Sequence, residues 1–328
     1  MLYGTSQVNG RGRSPPSSED RISVENLMDG CDFFAIYDGH SGAKVAHLCK
    51  TTLYKSIQEA LQLAGPDILL KQDEVTALLK RVFIDHNKYL ASVIHTLNDS
   101  GSTATVALVT SKHIYLAYLG DSPALMMHPQ SGHVLKEMGK HEPSLAEETA
   151  RIEAAGGFVE IDENGTPRVD GMLAVARAFG DFSLNWKGAT PPAGADWTKM
   201  KVPAHPDVMV WERPASGVLA IMSDGLVETD TATLKPLAQV AFDIKKGLES
   251  SGFNLKKTAE VVVRGHMGLG HYDGDDLSII LIDVGVGGDD TAIPITGGRP
   301  QKPPTRKSKG RRRLRTEKQN RLIKIFSC

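Results

Sequence analysis

Four short stretches of this chain place carboxylates beside small residues at the ends of apolar runs: Glu19-Asp20, Asp38-Gly39-His40, Asp224-Gly225 and Asp275-Asp276. Any one Asp-Gly after a strand is ordinarily a turn signal. Four together carry a different implication if the strands converge, because their tips then build a site whose donors are all oxygen. Such a site suits hard cations, Mg²⁺ or Mn²⁺. Clustered carboxylates repel one another, and a bound cation is what lets them coexist. A fifth acidic stretch, Gly120-Asp121-Ser122, reads by itself as a hairpin turn.

The elements that must carry these tips are readable from periodicity. Asp32 to Tyr37 (DFFAIY) is a short β-prone apolar run that ends on Asp38. Val45, Leu48, Cys49, Leu53 and Ile57 then recur at helical spacing, and Val75, Leu78, Leu79, Val82 and Phe83 repeat the pattern. From Ser102 the texture is β (STATVALVT, HIYLAYLG, PALMMH), with short loops that imply antiparallel neighbours. A helical piece over Leu145–Ala155 stops at Gly156-Gly157. A strand at Val218–Ser223, two helices near Leu234–Glu249 and Leu255–His266, and a last strand at Leu277–Val284 complete the pattern. Grouped strands and paired helices predict an α+β fold, a β-sandwich with antiparallel helices on its outer faces. The expected organisation is an irregular segment 1–18, a catalytic domain 19–286 and a basic, flexible tail 287–328.

The stretches FFAIYDGHSG, GSTATVAL, LAYLGDSPAL, RIEAAGGFV, LAVARAFGDF, HPDV, MSDGLVE and DDLSIILI resemble, in that order, the motifs of the metal-dependent type 2C serine/threonine protein phosphatases. The resemblance spans Glu19 to Val284 and rests on eight ordered motifs rather than on one. It implies two sandwiched β-sheets flanked by helices, with a binuclear Mg²⁺/Mn²⁺ centre at one end. By that resemblance Asp38 bridges the two cations and the Gly39 carbonyl joins one of them. Glu19 binds that same cation, Asp20 holds its waters, and Asp224 and Asp275 bind the other. Water between the cations is then the nucleophile toward phosphorus, and His40 protonates the departing serine or threonine oxygen. Asp121 and Glu228 resemble the holders of a weaker third cation, and residues 148–168 resemble the flap beside the cleft. Arg177 and Asp181 read equally well as structural partners and stay outside the catalytic set.

The chain departs from the family pattern at several places. The phosphate-binding arginine would be Arg13, with Arg11 as the alternative, although Pro15-Pro16 intervene before Asp20. Ser41 stands where a second glycine is usual, Pro123 where an arginine is, and Asp276 where an asparagine is. The extra charge of Asp276 implies a greater demand for cation or a preference for Mn²⁺ over Mg²⁺.

Composition bounds the setting. Residues 299–328 carry a net charge of +11 and the rest −12, an acidic body with a basic tail. The tail (KSKGRRRLR) reads as a nuclear import signal, a polyanion-binding arm or a solvated extension. Three scattered cysteines make no disulfide framework, and no run of eighteen apolar residues predicts a membrane span. The expectation is a soluble intracellular monomer, cytoplasmic or nuclear, acting on phosphorylated proteins. Two rivals compete with the enzyme. A silent pseudophosphatase used as a binding module predicts a missing metal carboxylate, yet Asp38, Asp224 and Asp275 are present. A nucleic-acid protein predicts salt-dependent binding through the tail.

Overall fold

The computed structural model describes residues 1–10, 18–94, 100–186, 190–230, 233–234, 236–268, 274–286 and 295–298, with main chain alone at 228–230 and 233–234. Arg11, Arg13 and the tail from 299 lie outside the described residues, as does the side chain of Glu228.

Two five-stranded antiparallel sheets form the centre. One runs, in spatial order, Asp207–Glu212, His113–Leu119, Ala104–Val109, Cys31–Tyr37 and Arg21–Met28. The other runs Tyr3–Val8, Leu277–Asp283, Val218–Met222, Ala124–Met127 and Val134–Glu137. Side chains alternate along a strand, so each strand divides between two cores. Phe34 and Ile36 point between the sheets to meet Ile280, Ile282 and Leu219, while Phe33, Ala35 and Tyr37 point outward under helices. Leu277, Ile279 and Leu281 likewise face the helices of the other side. Both faces are therefore dry, which is why these strands read as unbroken apolar runs rather than alternating ones. Each large side chain so buried contributes about 1.5–3 kcal/mol.

Helices α1 (Lys44–Ala64) and α2 (Gln72–Val93) cover the first sheet, burying Val45, Cys49, Leu53, Ile57 and Leu61 on one and Val75, Leu79, Phe83 and Leu90 on the other. Next come α3 (Ala146–Ala154) and the one-turn α4 (Phe182–Asn185). Helices α5 (Leu237–Ser251) and α6 (Leu255–Met267) cover the second sheet. The Asn254 side chain caps α6 by accepting from the Lys257 N–H at 3.0 Å. Helix α5 begins three residues later than the sequence suggests, with Pro236 as its cap, because Thr233–Leu234 pairs as a short strand instead. Residues 146–178 carry α3 and a small hairpin (Val159–Ile161 with Pro167–Val169), packed on their own core of Ile152, Val169, Val175, Ala176, Ala178 and Val202.

Two expectations are corrected. Residues 3–8 are not irregular but an edge strand in register with Leu277–Asp283. Residues 295–298, expected within the tail, bridge back onto the body, where Tyr3 N donates to Gly298 O and Thr296 N to Phe253 O, both at 2.9 Å. Among the described residues no helix is long and apolar enough to cross a membrane.

Candidate active site

In an antiparallel sheet the end of one strand lies beside the start of its neighbour, so one rim of the sandwich collects both kinds of tip. Asp38 follows Cys31–Tyr37, Asp121 follows His113–Leu119, and Asp224 opens a 3₁₀ turn after Val218–Met222. Asp275 precedes Leu277–Asp283, and Glu19-Asp20 precede Arg21–Met28. The result is one cleft lined by Glu19, Asp38, Gly39, His40, Asp121, Asp224 and Asp275, with Arg168 and residues 172–175 on the flap side. Gly39 is fixed by close approach, since a Cβ there would lie 2.6 Å from the Glu19 carbonyl oxygen.

The electrostatics are those of a site built for positive charge. Burial, followed by the charges of Asp20, Asp224 and Asp275, pushes the Asp38 carboxyl well above the carboxylate range. Burial and then Asp121 and Asp275 do the same to Asp224. Asp20 is pushed up to about 6, chiefly by burial, and the nearby Ser278 and Ser223 side chains oppose this only in part. Neither buried oxygen of Asp20 meets a donor in hydrogen-bonding geometry. An orphaned buried carboxylate beside three others is the kind of donor set that hard divalent cations satisfy, so the residues present fit Mg²⁺ or Mn²⁺. Among the described residues these groups are not drawn into a closed ligand cage.

Asp276 does not add a free charge to the cleft. One of its oxygens accepts from Gly10 N and the other from Glu19 N, each at 2.7 Å, and the residue is buried. It ties the segment after the first strand to the loop carrying Glu19. It thus has a fastening role, and its charge still reaches the site, since behind burial it helps, with Asp275, to raise the Asp20 carboxyl. Glu19 in turn accepts from Gly42 N through Oε1.

His40 has a partner that sequence reading left aside. Its Nε2 lies 2.9 and 3.0 Å from the two oxygens of Asp181, which is 141 residues away in the chain. Burial alone would lower the imidazole's pKa, but Asp181, with Asp121 and Glu19 behind it, outweighs burial and raises it. Room for the pair comes from Gly101, where a Cβ would sit 2.1 Å from His40 Nε2. Asp181 adopts a left-handed backbone (φ +50°), which short polar residues tolerate. The available signal was LAVARAFGDF itself, whose Asp181 read equally as a structural residue.

Ser41, also in the cleft wall, has φ +54°, so the position does require the conformation that glycine adopts freely. Arg168 is the arginine of the described residues that lines the cleft. Asp162 holds its Nε at 2.6 Å, and its Nη1 donates to the Met172 carbonyl at 3.0 Å.

The family model for protein phosphatase 2C matches residues 11–234, and the chain belongs to that family. It is 35% identical over 266 residues to Protein phosphatase 2C homolog 3 of Schizosaccharomyces pombe, covering 79% of this chain and 58% of that one. It is 32% identical over 231 residues to Probable protein phosphatase 1N of Homo sapiens, covering 70% and 50%. The chain thus spans about half the length of these relatives. Among solved structures, a phosphatase from a pathogenic strain of Toxoplasma gondii superposes with a TM-score of 0.69 over 85% of this chain and 92% of that one, at 21% identity, a likeness of fold.

Proposed function

We propose that this protein hydrolyses phosphoserine and phosphothreonine in other proteins, using Mg²⁺ or Mn²⁺ held at the acidic rim of the sandwich. The observation that carries the reading is the convergence of Asp38, Asp224 and Asp275 beside the orphaned carboxylate of Asp20, in a cleft whose wall carries the His40–Asp181 pair. Asp38, the Gly39 carbonyl, Glu19 and Asp20 would hold one cation, Asp38, Asp224 and Asp275 a second, and Asp121 with Glu228 a weaker third. Bound there, the cations supply charge that offsets the phosphate ester and brings the pKa of water toward neutrality.

The chain's own groups do the rest. Asp181 engages His40 at Nε2 and favours its protonated form, leaving Nδ1 as the atom that donates a proton to the departing seryl or threonyl oxygen. Arg168, oriented by Asp162, presents positive charge on the flap side of the cleft, where it would attract a phosphorylated peptide. A silent binding module has no support, since none of the three core aspartates is missing. Phosphate release from phosphothreonine, phosphoserine and phosphotyrosine peptides, with Mg²⁺, Mn²⁺ or EDTA, tests the reading. Metal-dependent release from the first two is expected. Release that survives EDTA, or none from folded protein, would refute it.

A further inference from the structure

His141 makes four polar contacts that join two parts of the molecule. Its Nδ1 accepts from Gly120 N at 3.3 Å, and its own N donates to the Gly120 carbonyl at 2.9 Å, so one residue grips Gly120 from both sides. Its carbonyl accepts from Ala176 N at 3.0 Å, and its Nε2 lies 3.2 Å from Asp207 Oδ2. Because Nδ1 accepts, the ring proton resides on Nε2 and is donated to Asp207. The ring is buried and stacks on Tyr118 at 4.7 Å. Asp207 is held in turn by Arg177 at 3.1 Å, and buried Glu148 of α3 accepts from both Arg177 and Arg151.

The gripped glycine immediately precedes Asp121. Gly120 has φ +85°, and its far side packs on Thr103, whose hydroxyl meets Ser122 Oγ at 2.7 Å and accepts from Asp38 N at 3.2 Å. The turn that aims Asp121 therefore has two anchors. One is the Thr103–Ser122 pair, which leads to Asp38. The other is His141, which leads to the ion pairs that fasten residues 146–178.

We propose that His141 is a positioning residue for Asp121, carrying the anchorage of the flap into the weakest of the cation sites. The inference rests on the reading of Asp121 given above. Outer-shell partners of this kind typically set metal affinity by 10–100-fold. His141→Gln keeps a donor where Nε2 was but removes the acceptor for Gly120 N. His141→Asn keeps an acceptor where Nδ1 was and loses the tie to Asp207.

Mn²⁺ binding followed by electron paramagnetic resonance and calorimetry, with amide hydrogen exchange at Gly120 and Asp121, separates the variants. In H141Q the weakest Mn²⁺ step should weaken about tenfold with the tighter steps unchanged, and both amides should exchange faster. H141N should keep slow exchange at Gly120. The inference is overturned if H141Q binds and exchanges like wild type, if every step weakens alike in both variants in proportion to lost thermal stability, or if wild type shows no weak step. Hydrolysis of a phosphothreonine peptide by wild type reports separately on the proposed activity. Its absence alongside the expected binding and exchange results would refute the activity and leave the positioning role standing.

Discussion

Asp181→Asn isolates what the buried carboxylate does for His40. Asparagine has the same shape and also tolerates the left-handed backbone found at this position (φ +50°), so the fold around α4 is retained. What is lost is a charge-assisted hydrogen bond at 2.9–3.0 Å, of a kind worth about 1.5–3 kcal/mol. The His40 side chain keeps 23% of its exposure, and solvent screening favours the lower end of that range. About 1.4 kcal/mol is a tenfold change in the protonated-to-neutral ratio.

The sign follows from the direction of the shift. Asp181 raises the pKa of His40 above its ordinary 6.5, so the pair stabilises the fold fully below 6.5 and ceases to do so as pH rises through the folded value. In the variant, burial is left unopposed by Asp181. The alkaline limb of the kcat profile should move to lower pH, with turnover about tenfold below wild type on that limb and near wild type on the acidic side. Its stability deficit, measured by urea unfolding, should be largest near pH 6 and vanish in alkali. A limb that stays in place would refute the assignment of His40 as proton donor poised by Asp181.

Ser41→Gly relieves a left-handed serine, a strain of about 1–2 kcal/mol, against about 0.5–1 kcal/mol of added chain entropy, so a small rise in melting temperature is expected and a fall would contradict the strain. Asp276→Asn leaves one of two main-chain N–H donors, buried Gly10 or half-buried Glu19, without its acceptor and should cost about 1–3 kcal/mol, read as a lower urea midpoint with faster exchange in strand 3–8. Unchanged stability would contradict its fastening role. Glu148→Gln removes the buried charge between Arg151 and Arg177 and should loosen residues 146–178 by about 3 kcal/mol in hydrogen exchange. Burial would raise the Glu148 pKa, but Arg177 and Arg151 outweigh it and lower it. The wild-type contribution is therefore present above the usual 4.5 and lost as pH falls through the folded value, whereas the variant should show no such acid transition.

Much of this fold is legible in the sequence because its central strands are dry on both faces. DFFAIY and LSIILI announce themselves as apolar runs, and the helices that cover them keep a clear 3.6-residue stripe. Strand Tyr3–Val8 was not legible. Its sequence, YGTSQV, is polar, and only pairing with Leu277–Asp283 at the other end of the chain makes it a strand. The acidic tips could be named from the sequence because each ends a readable element, and the structure brings Glu19, Asp38, Asp121, Asp224 and Asp275 to one cleft. Two roles needed three dimensions. Asp181 meets His40 across 141 residues, and Asp276 turns both oxygens onto main-chain amides instead of toward the cleft. No periodicity or spacing encodes either contact.

The central claim is that the clustered carboxylates hold divalent cations for phosphate ester hydrolysis. Its most direct test is a Mn²⁺ titration in which bound ions and phosphate release from a phosphothreonine peptide are measured on the same samples of wild type and Asp38→Asn. The account predicts that wild-type release rises with occupancy, and that the variant loses both release and at least one tightly bound ion while remaining folded. A variant that binds and turns over like wild type would contradict it.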